Sequence, residues 1–239
     1  MARPPETEQT SEDAVRGGTL ADELSLFCAR AGHDLLGPLN QSAALLALFV
    51  RRYRSQLDAE ADVLLEYLGN SAERMDTLLG AVRRYMDIAC EPLSRRTTDL
   101  EAALSSALAI LEPAVKANDA AITSDPLPNA ECDTKKITIL LEILVGNAIK
   151  FRRPDEAPRI HISTGREEDK TLITVADNGI GIDPEQAEEV LLPFRRLNGR
   201  EYPGAGLGLA TATLIARLHG GGIRVLSSPA GGTAVTVIF

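Results

Sequence analysis

From Leu24 onward, apolar or small residues recur at Leu24, Cys28, Ala31, Leu35, Pro38, Ser42, Leu45 and Phe49. The alternating spacing of four and three predicts one long helix with a single buried seam, imperfect at Pro38. After a turn at Gln56-Leu57-Asp58 the alternation resumes through Ala61, Leu64, Leu68, Ser71, Met75, Leu78, Val82, Tyr85 and Ala89, with charges filling most outer positions. Two helices of similar length imply an antiparallel hairpin. A lone hairpin has too little core to be stable, so two copies pairing into a four-helix bundle would bury both seams, which predicts a homodimer.

Glu91-Pro92 ends the helical period, and the pattern beyond it changes, placing a domain boundary between Ala89 and Thr98. Helices are expected at 99–117, 133–150 and 207–219, and β-rich runs at 120–124, 159–165, 171–176, 222–227 and 233–238. The fold class is therefore α+β: a helical hairpin domain over 19–92, then an α/β sandwich over 93–239 with helices layered on a mixed sheet. Residues 1–18 are rich in Glu, Thr, Pro and Gly with little apolar content, so they are expected to form a disordered leader.

Composition narrows the function classes. Of 239 residues, 44% are hydrophobic and 25% charged, an ordinary globular balance. The net charge of -9 argues against a general nucleic-acid surface, which needs clustered Lys and Arg in excess. Cys28, Cys90 and Cys132 have no paired or metal-ligand spacing, which suits a reducing compartment and a packing role. No apolar stretch approaches the ~20 residues of a membrane span, and Met1 to Gly18 lacks a basic-then-apolar signal. The expectation is a soluble, cytoplasmic protein.

The candidate chemistry lies in two glycine boxes and a helix. Asp177-Asn178-Gly179-Ile180-Gly181 and Gly204-Ala205-Gly206-Leu207-Gly208-Leu209 are separated by a flexible stretch and could hold a nucleotide from both ends. Upstream, the apolar helical run Ile139 to Phe151 carries Asn147 and Lys150, and the three elements together read as an ATP site. Gly179 and Gly181 would permit positive φ and close backbone approach. Gly204, Gly206 and Gly208 precede a helical run, so backbone N–H groups and the helix N-terminus could face a triphosphate. Taken singly, a bare Asp-Asn-Gly turn and a glycine-rich hinge remain open readings. His33 falls on the outward side of the first helix, with Asp34 beside it. A neighbouring carboxylate can fix the imidazole tautomer and raise its nucleophilicity, although the dipeptide alone also fits a solvated surface pair. His161, in a strand-like pattern, and His219, at a helix end where an imidazolium would complement the dipole or the ring would cap carbonyls, are read as structural.

The segment His33-Asp34-Leu35-Leu36-Gly37-Pro38-Leu39 resembles the phosphoacceptor box of sensor histidine kinases, and the second domain resembles their ATP-binding domain. Phytochrome-type members look especially close, through Gly146-Asn147-Ala148-Ile149-Lys150-Phe151 and Arg196-Leu197-Asn198-Gly199-Arg200-Glu201-Tyr202-Pro203-Gly204. The resemblance implies ATP and Mg²⁺, with Asn147 holding the metal through its amide oxygen and Lys150 approaching the phosphates. It implies that Asp177 accepts a hydrogen bond from the adenine amino group. Phe194 corresponds to the family's phenylalanine box and Arg196 to a lid arginine near the terminal phosphate. The nucleotide-lining set is then Asn147, Lys150, Phe151, Asp177, Gly179, Gly181, Phe194, Arg196, Gly204, Gly206, Leu207 and Gly208. His33 would attack the γ-phosphoryl, Asp34 would assist as base or orienter, and Lys150 and Arg196 would offset developing charge. The implied partners are a second copy of the chain, a response-regulator receiver domain and an upstream sensor domain or protein.

Two departures from the family pattern bear on the chemistry. One helical turn before Asn147 the family often has a second Asn, and related topoisomerase and mismatch-repair ATPases have a Glu that activates water; here it is Ile143. Transfer to a protein nucleophile is thereby favoured over hydrolysis. Four residues after His33 stands Gly37, which cannot position a water for dephosphorylating a partner. Two alternatives stay open: a non-catalytic phosphotransfer or scaffold protein with this fold, and a hydrolysing ATPase or Ser/Thr kinase on the same nucleotide fold, with the helical hairpin only a dimeriser.

Overall fold

The computed structural model describes residues 41–42, 44–53, 59–197, 202, 204–228 and 230–239. The expected leader, His33, Asp34 and Gly37 lie outside the described residues. The chain divides after Glu91 into two units, Met1–Glu91 and Pro92–Phe239.

In the first unit, residues 41–42 and 44–53 are helical (α1), and α2 spans Ala59–Cys90. The seam expected on α2 is only partly covered among the described residues. Leu64 is 58% exposed and Leu68 55%, and Met75 and Leu78 are also exposed, whereas Ala61, Ser71, Val82 and Tyr85 are half-buried.

The second unit opens with a feature that period-based reading misses. Strands β1 (Arg96–Asp99) and β3 (Asn129–Cys132) form a small antiparallel sheet, with Arg96 opposite Cys132 and Asp99 opposite Asn129. Arg-Thr-Thr-Asp has no apolar residue, and Asn-Ala-Glu-Cys alternates over four positions only, with small Ala130 and Cys132 as its apolar pair, so neither announces itself as a strand. The pair nonetheless sets the starts of two helices. Asp99 ends β1 and caps α3 (Leu100–Ala117), its carboxylate accepting from the N–H groups of Glu101 and Ala102 at 2.9 and 3.2 Å. Asp133 follows β3 and caps α4 (Thr134–Lys150), accepting from the Lys136 N–H at 3.1 Å. Each cap satisfies orphan amide donors of the first turn.

The main sheet has the order β2-β4-β5-β7-β6, built from β2 (Ala121–Ser124), β4 (Arg159–Glu167), β5 (Lys170–Asp177), β6 (Gly222–Ser227) and β7 (Thr233–Ile238). Only β2 and β4 are parallel; the other neighbours are antiparallel. Ile160, Ile162, Ile173, Val175, Val235 and Val237 occupy alternate, buried positions, as expected of a sheet with one covered face. Helix α4 packs between α3 and α5 (Gly208–Leu218) and against the sheet, burying Ile137, Leu140, Leu141 and Val145 completely. The mixed α/β sandwich expected from the sequence is the architecture found.

His219, expected to be structural, proves to be a buried neutral imidazole. Its Nε2 accepts the Asp133 backbone N–H at 3.0 Å, and Nδ1 lies 2.8 Å from the Ile215 carbonyl, to which it donates. An imidazolium would set a donor against the Asp133 N–H, so of the two roles expected for this residue the carbonyl cap holds and the dipole-complementing cation does not. Burial holds its pKa below the usual histidine value. Around it, Arg95 donates to the His219 carbonyl at 2.7 Å and the Ser94 N–H to Asp133 Oδ2 at 3.0 Å, tying the beginning of the unit to α4 and α5. His161 is a surface residue whose Nδ1 lies 2.9 Å from Thr123 Oγ1. Cys132 is a core residue, as expected of a packing cysteine, but Cys90 is exposed at the end of α2. No described helix is long and apolar enough to cross a membrane.

Candidate functional site

The Asp-Asn-Gly box begins where β5 ends. Asp177 Oδ1 accepts from the N–H groups of Gly179 at 2.8 Å and Thr233 at 3.0 Å, while Oδ2 has no hydrogen-bond partner among the described residues. Burial raises the carboxyl pKa, and the two amide donors oppose that rise. The carboxylate is thus oriented by one oxygen and able to accept through the other. Asn178 pins the turn: its Oδ1 accepts the Arg159 N–H at 2.7 Å, and its Nδ2 donates to the Ala157 carbonyl and Glu156 at 3.1 Å. The two glycines serve different needs. A Cβ on Gly179 would run into the Phe151 carbonyl oxygen, whereas Gly181 has φ +79°.

The last turn of α4 carries Asn147 and Lys150, and Phe151 follows as its C-cap. A Cβ on Gly208 would lie 3.5 and 3.6 Å from the two amide atoms of Asn147 and 3.4 Å from Ile143 Cγ2, so both side chains border the first residue of α5. The Phe151 carbonyl accepts the Ile180 N–H at 3.0 Å, which docks the end of α4 on the Asp177 turn. Lys150 Nζ sits 4.6 Å from the Phe151 ring centroid and against Gly204, where a Cβ would approach it to 2.6 Å. Burial, and then the charge of Arg196, lowers the pKa of this amine. Two cations therefore converge on one region.

Phe194 has φ +64° and an exposed ring, and its N–H donates to the Gly206 carbonyl at 2.9 Å. Gly206 has φ +72°, and a Cβ there would come within 3.0 Å of the Arg195 carbonyl. Arg196 donates to the Tyr202 carbonyl at 2.7 Å. Helix α5 then starts without a side-chain cap: the residue before it is the buried Leu207, in contrast with the aspartates before α3 and α4. Its first amide donors have no side-chain partner among the described residues, and an unsatisfied helix N-terminus attracts anions.

The structure thus brings Asn147, Lys150, Phe151, Asp177, Gly179, Gly181, Phe194, Arg196, Gly204, Gly206, Leu207 and Gly208 into one region, and His33 and Asp34 lie outside the described residues. The region holds an oriented hydrogen-bond acceptor in Asp177, and two cations, an amide side chain and a helix start without a side-chain cap. That chemistry fits a ligand with a donor-bearing ring and a polyanionic tail. Among the described residues no three His, Cys, Asp or Glu gather in a metal-holding group, so a cation there would depend on Asn147, the ligand's own oxygens and water. Sequence reading missed Thr233, whose contribution is a backbone N–H with no side-chain signature. It also missed Tyr202 and Gly232, the latter packed so closely on Asp177 that a Cβ would strike its carboxylate. The Gly231-Gly232 pair before β7 was the available signal.

Residues 132–239 match the family described as histidine kinase-, DNA gyrase B- and HSP90-like ATPase. Cyanobacterial phytochrome A of Nostoc sp. is 39% identical over 93% of this chain and 29% of its own length. The phytochrome-like protein Cph1 of Synechocystis sp. is 33% identical over 88% of this chain and 28% of its own length. The chain thus spans less than a third of either relative. Among solved structures, full-length ShkA in complex with AMPPNP superposes with a TM-score of 0.64 over 88% of this chain and 44% of that one, at 24% identity, a likeness of fold.

Proposed function

We propose the reaction of a chain that belongs to the sensor histidine kinases: phosphorylation of its own His33 from ATP, followed by transfer to an aspartate of a response-regulator receiver domain. The observation that carries this reading is the placement of Asn147 beside the uncapped start of α5 and of Lys150 and Arg196 against Gly204 and Gly206 just before it, together with the oriented Asp177 carboxylate.

Asp177 Oδ2 accepts from the adenine amino group, and the amides of α5 together with Lys150 and Arg196 receive the phosphates. A nitrogen of His33 forms a bond to the γ-phosphorus as the bond to the β–γ bridging oxygen breaks and ADP leaves, with Asp34 as base or orienter. Catalysis is chiefly positioning and charge stabilisation. Mg²⁺, when bound through the Asn147 amide oxygen, would neutralise phosphate charge. Ile143 beside Asn147 has no group to activate water, which favours transfer over hydrolysis.

The exposed seam of α2 supports pairing with a second copy into a four-helix bundle. The signal would come from an upstream sensor domain or protein, and the reaction would take place in the cytoplasm. Incubating the protein with Mg²⁺ and γ-labelled ATP should give label that is acid-labile, alkali-stable and absent in His33→Gln. ATP binding without such label would instead support a scaffold or an ATPase.

A further inference from the structure

Tyr202 engages three partners with three different groups. Its hydroxyl donates to the Arg152 carbonyl at 3.2 Å, its ring lies 5.1 Å from the Phe151 ring at a tilt of 48°, and its own carbonyl accepts from Arg196 at 2.7 Å. Arg152 and Phe151 are the residues immediately after α4, and Phe151 also carries the Lys150 amine over its ring and receives the Ile180 N–H. Tyr202 therefore stands where the end of α4, the turn after Asp177 and the Arg196 guanidinium meet.

Lys150 and Arg196 bear the same charge and act on one another strongly enough to lower the lysine's pKa, burial being the larger cause. Like charges separate unless something holds them. Phe151 holds the lysine by its ring face. The arginine is held through the carbonyl of a residue whose ring and hydroxyl are themselves anchored on Phe151 and Arg152, just after α4.

From this arrangement we infer that Tyr202 is a positioning residue for the terminal phosphate of ATP: it presets Arg196 beside Lys150 so that the two cations receive the γ-phosphoryl without first being gathered. The inference rests on the reading of the site given under Proposed function. Preorganised charge favours the ligand that has an anion at that point over one that lacks it. Tyr202 should consequently matter to ATP and little to ADP, a distinction that a merely structural role would not make.

Calorimetric titration of the full chain with Mg²⁺-ATP and with Mg²⁺-ADP tests this, alongside thermal melts without nucleotide. Tyr202→Ala, which removes ring and hydroxyl together, is expected to weaken ATP by about tenfold or more while changing ADP by less than about threefold. Tyr202→Phe keeps the ring and loses only the hydroxyl bond, so it should recover most of the ATP affinity, to within about fivefold of wild type. Equal losses for both nucleotides, with a lowered melting temperature, would show Tyr202 to be structural only and overturn the inference. Unchanged ATP affinity in Tyr202→Ala would overturn it as well. Wild-type protein that binds neither nucleotide would overturn the reading of the site itself, and with it the role of Tyr202.

Discussion

Helices α2 and α4 carry similar apolar stripes and meet opposite fates. In α4, Leu140 and Leu141 are completely buried, whereas in α2 Leu64 and Leu68 remain more than half exposed. The residue type is alike; what differs is the covering. The second unit supplies a sheet and two flanking helices within one chain, so α4 is finished when the unit folds. Among the described residues of the first unit nothing of that extent covers the α2 stripe, which in the proposed function pairs with a second copy. Apolar periodicity therefore specifies a helix and a face but does not say whether the same chain will cover that face.

The largest expected effect tests this contrast directly. Leu141→Ala should destabilise the second unit by about 2–5 kcal/mol, measured by urea unfolding, because the cavity has no route to solvent. Leu68→Ala should cost far less in dilute protein, while Leu68→Lys should shift the light-scattering mass from dimer to monomer. Equal destabilisation by the two alanine changes would mean that the α2 stripe is covered within its own chain.

A second contrast lies between two glycines of the site. Gly179→Ala has no room against the Phe151 carbonyl and should separate the end of α4 from Asp177, at a cost of about 1–3 kcal/mol or roughly tenfold in ATP affinity. At Gly208 the added methyl group would make contacts of 3.4–3.6 Å, so Gly208→Ala should be milder in the same titration. The reverse order would contradict the assignment of close approach to Gly179.

Smaller effects distinguish the two ends of the helices. His219 has its pKa depressed below 6.5 in the folded protein, so the unfolded chain takes up a proton more readily. Stability contributed by the neutral ring is present above that pH and is lost as pH falls from about 6.5 toward the folded value, with a slope of at most about 1.4 kcal/mol per pH unit. His219→Gln should flatten this part of the stability profile, and an unchanged slope would exclude His219 as its origin. Last, Asp99→Ala should cost about 1 kcal/mol through loss of the α3 cap, read by thermal melting. Helix α5 has no such cap to lose, which is the difference the proposed phosphate site depends on.

Most elements of the second unit were legible because their signals are periodic and local. The expected helix at 133–150 corresponds to Thr134–Lys150, and the expected strand at 233–238 to Thr233–Ile238. The small sheet was illegible because Arg-Thr-Thr-Asp and Asn-Ala-Glu-Cys become strands only by pairing with each other. The glycine boxes were legible as backbone requirements. Their different reasons were not: Gly181 answers to its own φ, and Gly179 to a carbonyl 28 positions earlier in the chain.

The sequence by itself determined the helical and strand periods, the break at Glu91-Pro92, the order of the nucleotide boxes and the resemblance to a kinase family, all of which depend on residues close together in the chain. Tertiary structure alone decided that Asp177 is held by the Thr233 amide, that Lys150 and Arg196 share one region, that Tyr202 ties that region to α4, and that His219 is neutral. These depend on distances between residues far apart in sequence and on burial, and a backbone donor or a lowered dielectric leaves no mark on the identity of the residue that supplies it.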